Sequence, residues 1–206
     1  MKSTDFIVAR NDLQQCKFVD KEPPDADALP DEALLIQIDR FAFTANNITY
    51  AVLGDQLKYW QLFPAPKNFG NIPMRGFGAV IASKHPSIAE GEMLFGYFPM
   101  ATHLVIEASE VRKHGLRDAA PHHQGVTPVY NAYARVTRDP AFAGQQGDYQ
   151  ALLRPLFMLS FLVDDFLAEN QFLARSACCS PPHRARPPSD SPICSMRNEK
   201  ISRWLG

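Results

Sequence analysis

Apolar and polar residues alternate along the first half of the chain in short stretches separated by turn-forming residues. Leu34, Ile36 and Ile38 fall on one side of Ala33–Phe43 while Gln37 and Asp39 fall on the other, the period of two that a half-buried strand requires. Phe6–Arg10 and Lys17–Asp20 flank Asn11-Asp12 and predict an opening hairpin. Gly76–Ser83, Met93–Phe98 and His103–Glu107 read as further strands, with Pro86 and Gly91 in the connection between the first two. Asn46–Tyr59 predicts a helical turn or two interrupted by Gly54, and Phe63–Pro73 a loop with three prolines. Short strands with turns at close spacing predict a mainly β architecture, a small barrel or sandwich.

The pattern changes after Gly115. Val129–Thr137 predicts a short helix between two loops, Pro121–Gly125 and Asp139–Asp148. Leu152, Leu153, Leu156, Phe157, Ser160, Val163, Phe166 and Leu167 then recur at three-and-four spacing, which predicts a long amphipathic helix. Asp148 stands where a helix N-cap is wanted. Pro155 fits best within a first turn, so the regular part is expected from about Arg154.

From Leu173 onward no period survives, and Pro181-Pro182 and Pro187-Pro188 would break a strand or a helix. That segment has a net charge of +4 and three of the chain's 4 cysteines, against −5 for the residues before it. Three readings of it stay open: out-of-frame translation, a natural disordered tail, or a basic tail with weak affinity for metal or nucleic acid.

The whole chain of 206 residues has a net charge of -1, which gives no electrostatic reason to expect nucleic acid as a partner. The N-terminus lacks the apolar core of a signal peptide, and no run approaches the ~20 apolar residues of a membrane span. Cytoplasm is the expected location. Cys16 is the only thiol before residue 173, so the body is expected to hold neither a disulfide framework nor a cysteine zinc site. His122-His123 has no carboxylate or cysteine at metal spacing in the sequence, and no metal is expected there.

Two stretches carry a family likeness. FAFTANNITYAVLGDQLKYW (41–60) follows the amphipathic strand, and IPMRGFGAVIASKHPSIAEGEMLFGYFP (72–99) supplies a glycine-containing strand and a Gly-acid turn at Gly91-Glu92. Their order resembles the GroES-like domain of the medium-chain dehydrogenase/reductase superfamily, on its zinc-free, quinone-oxidoreductase-like side. SKHPSIAEGEMLFGYFPM (83–100) and LLRPLFMLSFLVDDFL (152–167) resemble a branch catalogued only as a domain of unknown function. The likeness implies a partly open β-barrel domain over 1–135. A linker and helix over 136–172 would lead to a Rossmann domain that is missing, and 173–206 would be a disordered, out-of-frame tail.

The same likeness implies NADPH for the full-length family and a small carbonyl or quinone-like substrate. Asn46, Asn47 and Tyr50 match the superfamily's Asn-bearing turn, with Tyr50 where an acid is usual. Asn47 and Tyr50 are therefore the expected catalytic pair. Asn46, Tyr59, Trp60 and Tyr130 are the expected substrate-binding residues. An amide and a phenol can hold a carbonyl by hydrogen bonds, but the same residues would equally serve as a helix cap and core aromatics. Asn131 and Tyr133 fit the branch's aromatic-amide segment without an assigned role. Gly76-Phe77-Gly78 is not a dinucleotide fingerprint, since Ile81 fills the third glycine position and a strand follows. The resulting expectation is a truncated reductase-like protein holding the substrate-side domain, without a cofactor site and inactive alone. A stand-alone binding module, a non-functional gene remnant, and a homodimer stay open.

Overall fold

A computed structural model describes residues 2–139, 142 and 147–170. The chain divides into two units, Met1–Ser160 and Phe161–Gly206, and the first contains all the strands among the described residues. The predicted tail at 173–206 lies outside the described residues.

Strands β1 (Ser3–Ala9) and β2 (Asp12–Lys21) form the expected hairpin, extended by the short β4 (Phe69–Gly70) into a sheet of order β2-β1-β4. The remaining strands are β3 (Ala33–Ala42), β5 (Met74–Ser83), β6 (Met93–Phe98), β7 (His103–Ser109), β8 (Gly115–Asp118) and β9 (Ala132–Arg135). They pair antiparallel in the order β3-β5-β6-β9-β8-β7 and close on themselves as a barrel. The mainly β reading and the long following helix both hold. The thinnest seams of the barrel are the two registered pairs of β6 with β9 and of β7 with β8. Inside it lie Leu34, Ile36, Val80, Leu94, Phe98, Ile106, Leu116 and Tyr133. Leu34 and Ile36 are fully buried, as the period of two in β3 requires.

Ring closure overturns the helix predicted at Val129–Thr137. A single helical turn at Pro128–Tyr130 is followed by β9, in which Tyr133 and Arg135 are buried while Ala132 and Ala134 are half-buried. Four residues carry too little local periodicity to be told from a helix, and pairing with β6 and β8 decides their state. The Tyr133 hydroxyl donates to the Tyr97 carbonyl at 2.8 Å.

Arg135 fastens the seam. Its guanidinium forms a two-pronged pair with the Glu92 carboxylate, including Nη2 to Oε2 at 2.7 Å, and donates to the carbonyls of Ser87 at 2.9 Å and Arg112 at 3.2 Å. The Glu92 hydrogen bond raises the Arg135 pKa against the opposing effect of burial, so the guanidinium keeps its charge. Gly91, at φ 82°, makes the turn that delivers Glu92. The Gly91-Glu92 pair noted in the sequence is thus the anchor of the last barrel strand.

Helix α1 spans Ala45–Val52 and α2 spans Gly147–Glu169. The latter starts earlier than Arg154 and runs through Pro155. Ala151, one turn before the proline, is buried against Phe77 and Phe95, and Arg154 pairs with Asp139 at 3.2 Å. These contacts offset an interior proline that costs about 3 kcal/mol in an exposed helix. Leu152, Leu153, Leu156 and Leu159 are exposed, so apolar positions extend beyond a single stripe. No helix among the described residues is long and apolar enough to cross a membrane.

Glu92→Ala should lower the unfolding free energy by about 3–5 kcal/mol, because Arg135 would be left as a buried charge without its partner. Urea denaturation followed by circular dichroism measures this. A loss under about 1 kcal/mol would show that the seam holds without the pair.

Candidate ligand site

On β5 and β6, residues alternate between the barrel interior and its other face. Arg75 and Phe77 on β5 lie opposite Tyr97 and Phe95 on β6, paired in register. This face is overlaid by α1, by a helical turn at Tyr59–Gln61 and by the turn at Pro128–Tyr130. Each contributes one tyrosine. Tyr50, Tyr59, Tyr97 and Tyr130 form one aromatic group with ring centroids 4.8 to 6.3 Å apart, mostly edge to face. Leu53, Leu62 and Phe63 back it with apolar surface.

The hydroxyls pair. Tyr50 and Tyr97 oxygens are 2.8 Å apart, those of Tyr59 and Tyr130 2.9 Å, and the Asn46 amide donates to the Tyr50 oxygen at 3.2 Å. Each phenol has one hydrogen to give, and a phenol pair uses only one of its two. Each pair therefore keeps one donor for a ligand. Burial raises the pKa of Tyr50 above its ordinary value of 10.0, and neighbouring Tyr97 raises it further. Burial and the hydrogen bond to Tyr59 do the same for Tyr130. Both phenols stay protonated donors at neutral pH. Tyr59 and Tyr97 are buried while Tyr50 and Tyr130 are half-buried, so part of the group reaches solvent.

Arg75 completes the set, its guanidinium 4.2 Å over the Tyr97 ring and 5.7 Å from that of Phe95. Neither Tyr97 nor Arg75 is among the site residues expected from the sequence. Strands at Gly76–Ser83 and Met93–Phe98 were legible there, but the register that sets Arg75 opposite Tyr97 was not.

The expected site residues divide. Tyr50, Tyr59, Tyr130 and Asn46 come together. Asn47, 4% exposed, turns its amide away: Nδ2 donates to the Pro73 carbonyl at 3.0 Å, and Oδ1 accepts from the Thr44 backbone and hydroxyl. It caps α1 and ties it to the segment entering β5, as a positioning residue. Trp60 packs with Val8, Ile72 and Met74 in a separate cluster. Gly54 and Gly70 press on its indole so closely that neither could carry a methyl group, so Trp60 is a core side chain, in a cluster that Tyr50 packs against.

The histidine pair also finds a partner that its spacing did not predict. Asp118, at the end of β8, accepts from His123 Nε2 at 3.0 Å, and Asp118, His122 and His123 bring ligand-type atoms within 4.8 Å of one another. The other Asp118 oxygen accepts from the backbone of Glu107 and Ala120 at 3.0 Å each. With both oxygens engaged, this buried network accounts for the turn after β8.

Gly76 and Gly78 lie mid-strand in β5, bonded to β3 and β6, with no helix N-terminus after them. Among the described residues nothing provides the glycine turn and helix tip that hold a dinucleotide pyrophosphate.

Residues 41–180 match the model of a family described as proteins of unknown function, DUF2855. The chain belongs to the DUF2855 family. No curated protein matches it. Among solved structures it is similar to the quinone oxidoreductase from Coxiella burnetii, at 11% identity and a TM-score of 0.31, over 53% of this chain and 38% of that one. In this DUF2855 chain the matched segment includes all four site tyrosines and Arg75.

A group whose pKa is raised on folding stabilises the folded state fully below its unfolded pKa and ceases to do so as pH climbs through the folded value. Unfolded tyrosine ionises near 10.0. The urea midpoint should therefore hold up to about pH 9 and fall above about pH 10, and a Tyr50→Phe, Tyr130→Phe double variant should fall less steeply. Equal slopes for the two proteins would show that these phenols do not carry the effect.

Proposed function

We propose that the tyrosine group receives a small carbonyl or quinone-like acceptor in an oxidoreductase-like protein. The observation carrying this reading is the two phenol–phenol hydrogen bonds, each with a spare hydrogen, in an aromatic group of which Tyr50 and Tyr130 are partly exposed to solvent. A flat acceptor would stack on the rings while neutral phenols donate to its oxygen. That donation polarises the carbonyl and stabilises negative charge developing there. Asn46, by donating to the Tyr50 oxygen, leaves that phenol free to donate onward. The sequence likeness to zinc-free medium-chain reductases supports the same substrate class.

NADPH is the reductant that this likeness implies. The described residues do not fit it, so the role proposed for them is binding and orienting the acceptor, with no hydride step assigned.

Binding of 1,4-naphthoquinone to the full chain, followed by quenching of aromatic fluorescence, tests the reading. Tyr50→Phe and Tyr130→Phe should each weaken binding about 3- to 10-fold, the worth of one hydrogen bond to a neutral ligand. Absence of binding to the unaltered chain would refute the proposal, as would full affinity in both variants.

A second reading, a protein-interaction module, is favoured by the exposed leucines of α2. Under it Leu153→Glu with Leu156→Glu should abolish concentration-dependent association in sedimentation velocity. A chain that sediments as a monomer at every concentration, with no change in the variant, argues against self-association through this helix.

A further inference from the structure

We infer that Arg75 is an anion receptor, so that the ligand of the tyrosine site carries a carboxylate beside its carbonyl or quinone ring. The inference rests on the acceptor reading for the ring and adds the charge. Five arginines of the barrel unit have guanidinium groups set against aromatic rings or buried surroundings. Arg10 is answered by Asp55, Arg40 by Asp39 and Asp148, Arg135 by Glu92 and Arg154 by Asp139. Arg75 is half-buried, its Nε is sealed from solvent without a hydrogen-bond acceptor, and no described carboxylate lies within ion-pair distance of it. Taking a cation partly out of water without a counter-charge is unfavourable, and stacking on a ring recovers only part of the loss.

Place and chemistry then specify the ligand. The Tyr97 ring that carries Arg75 on its face also carries, at its edge, the hydroxyl paired with Tyr50. The positive charge of Arg75 is felt at the hydroxyls of both Tyr50 and Tyr130. Cation and phenol donors are thus separated by about the width of one aromatic ring. A guanidinium presents N–H donors in a planar fork that fits a carboxylate with two parallel hydrogen bonds. A flat molecule with a ring carbonyl and a carboxylate would satisfy both groups at once. The neutral parent compound would leave Arg75 as it stands.

Three probes separate the possibilities on the full 206-residue chain: 1,4-naphthoquinone, 1,4-naphthoquinone-2-carboxylate and 2-naphthoate. The carboxylated quinone should bind at least ~10-fold more tightly than the neutral one, the scale of a hydrogen-bonded charge pair. In Arg75→Met the two should bind within about 2-fold of each other, and Arg75→Lys should retain part of the difference, since it keeps the charge but not the fork. Equal affinities for the two quinones in the unaltered chain overturn the inference, whatever the variants do. So does a carboxylate advantage that survives Arg75→Met. If 2-naphthoate binds in an Arg75-dependent way while the neutral quinone does not bind at all, the anion receptor stands and the quinone reading falls.

Discussion

The buried pair of Arg135 with Glu92 is the contact on which the rest of this structure depends. It joins the last barrel strand to the turn that opens β6, across a seam with only two registered backbone pairs. A seam that short gives little backbone cooperativity, so side chains must hold it. Arg135 does so with four acceptor groups, two on Glu92 and two on backbone carbonyls. With β9 in place, Tyr133 fills the barrel and donates to the Tyr97 backbone, while Tyr130, just ahead of β9, reaches the phenol group.

The tyrosine site is a product of that closure. Its rings come from a helix, two helical turns and a strand, and no two are adjacent in sequence. The barrel supplies a stiff wall in Tyr97 and Arg75, and the overlying segments supply Tyr50, Tyr59 and Tyr130. Asn47 and Trp60 hold those segments down, one through the cap of α1 and the other by packing between Gly54 and Gly70.

Polar groups inside this protein are mostly matched: Glu92 with Arg135, Asp139 with Arg154, Asp118 with His123. Such matching is what burial of charge demands. Arg75, cushioned on Tyr97, has no carboxylate within ion-pair distance among the described residues.

Local pattern alone determined a good deal. The alternation in Ala33–Phe43, the turn residues between short apolar runs and the three-and-four spacing after Leu152 were enough for a mainly β unit followed by a long helix. The family likeness singled out Tyr50, Tyr59 and Tyr130, and the fold brings their rings together. What local pattern could not contain was strand register and closure. A four-residue strand such as Ala132–Arg135 has no stable state of its own, and it becomes a strand only because β6 and β8 offer their edges. The same holds for Arg75 facing Tyr97, for Asp118 reaching His123 and for the helix running on through Pro155. Each is a contact between residues brought together by the fold, and its energy exists only once the ring has closed.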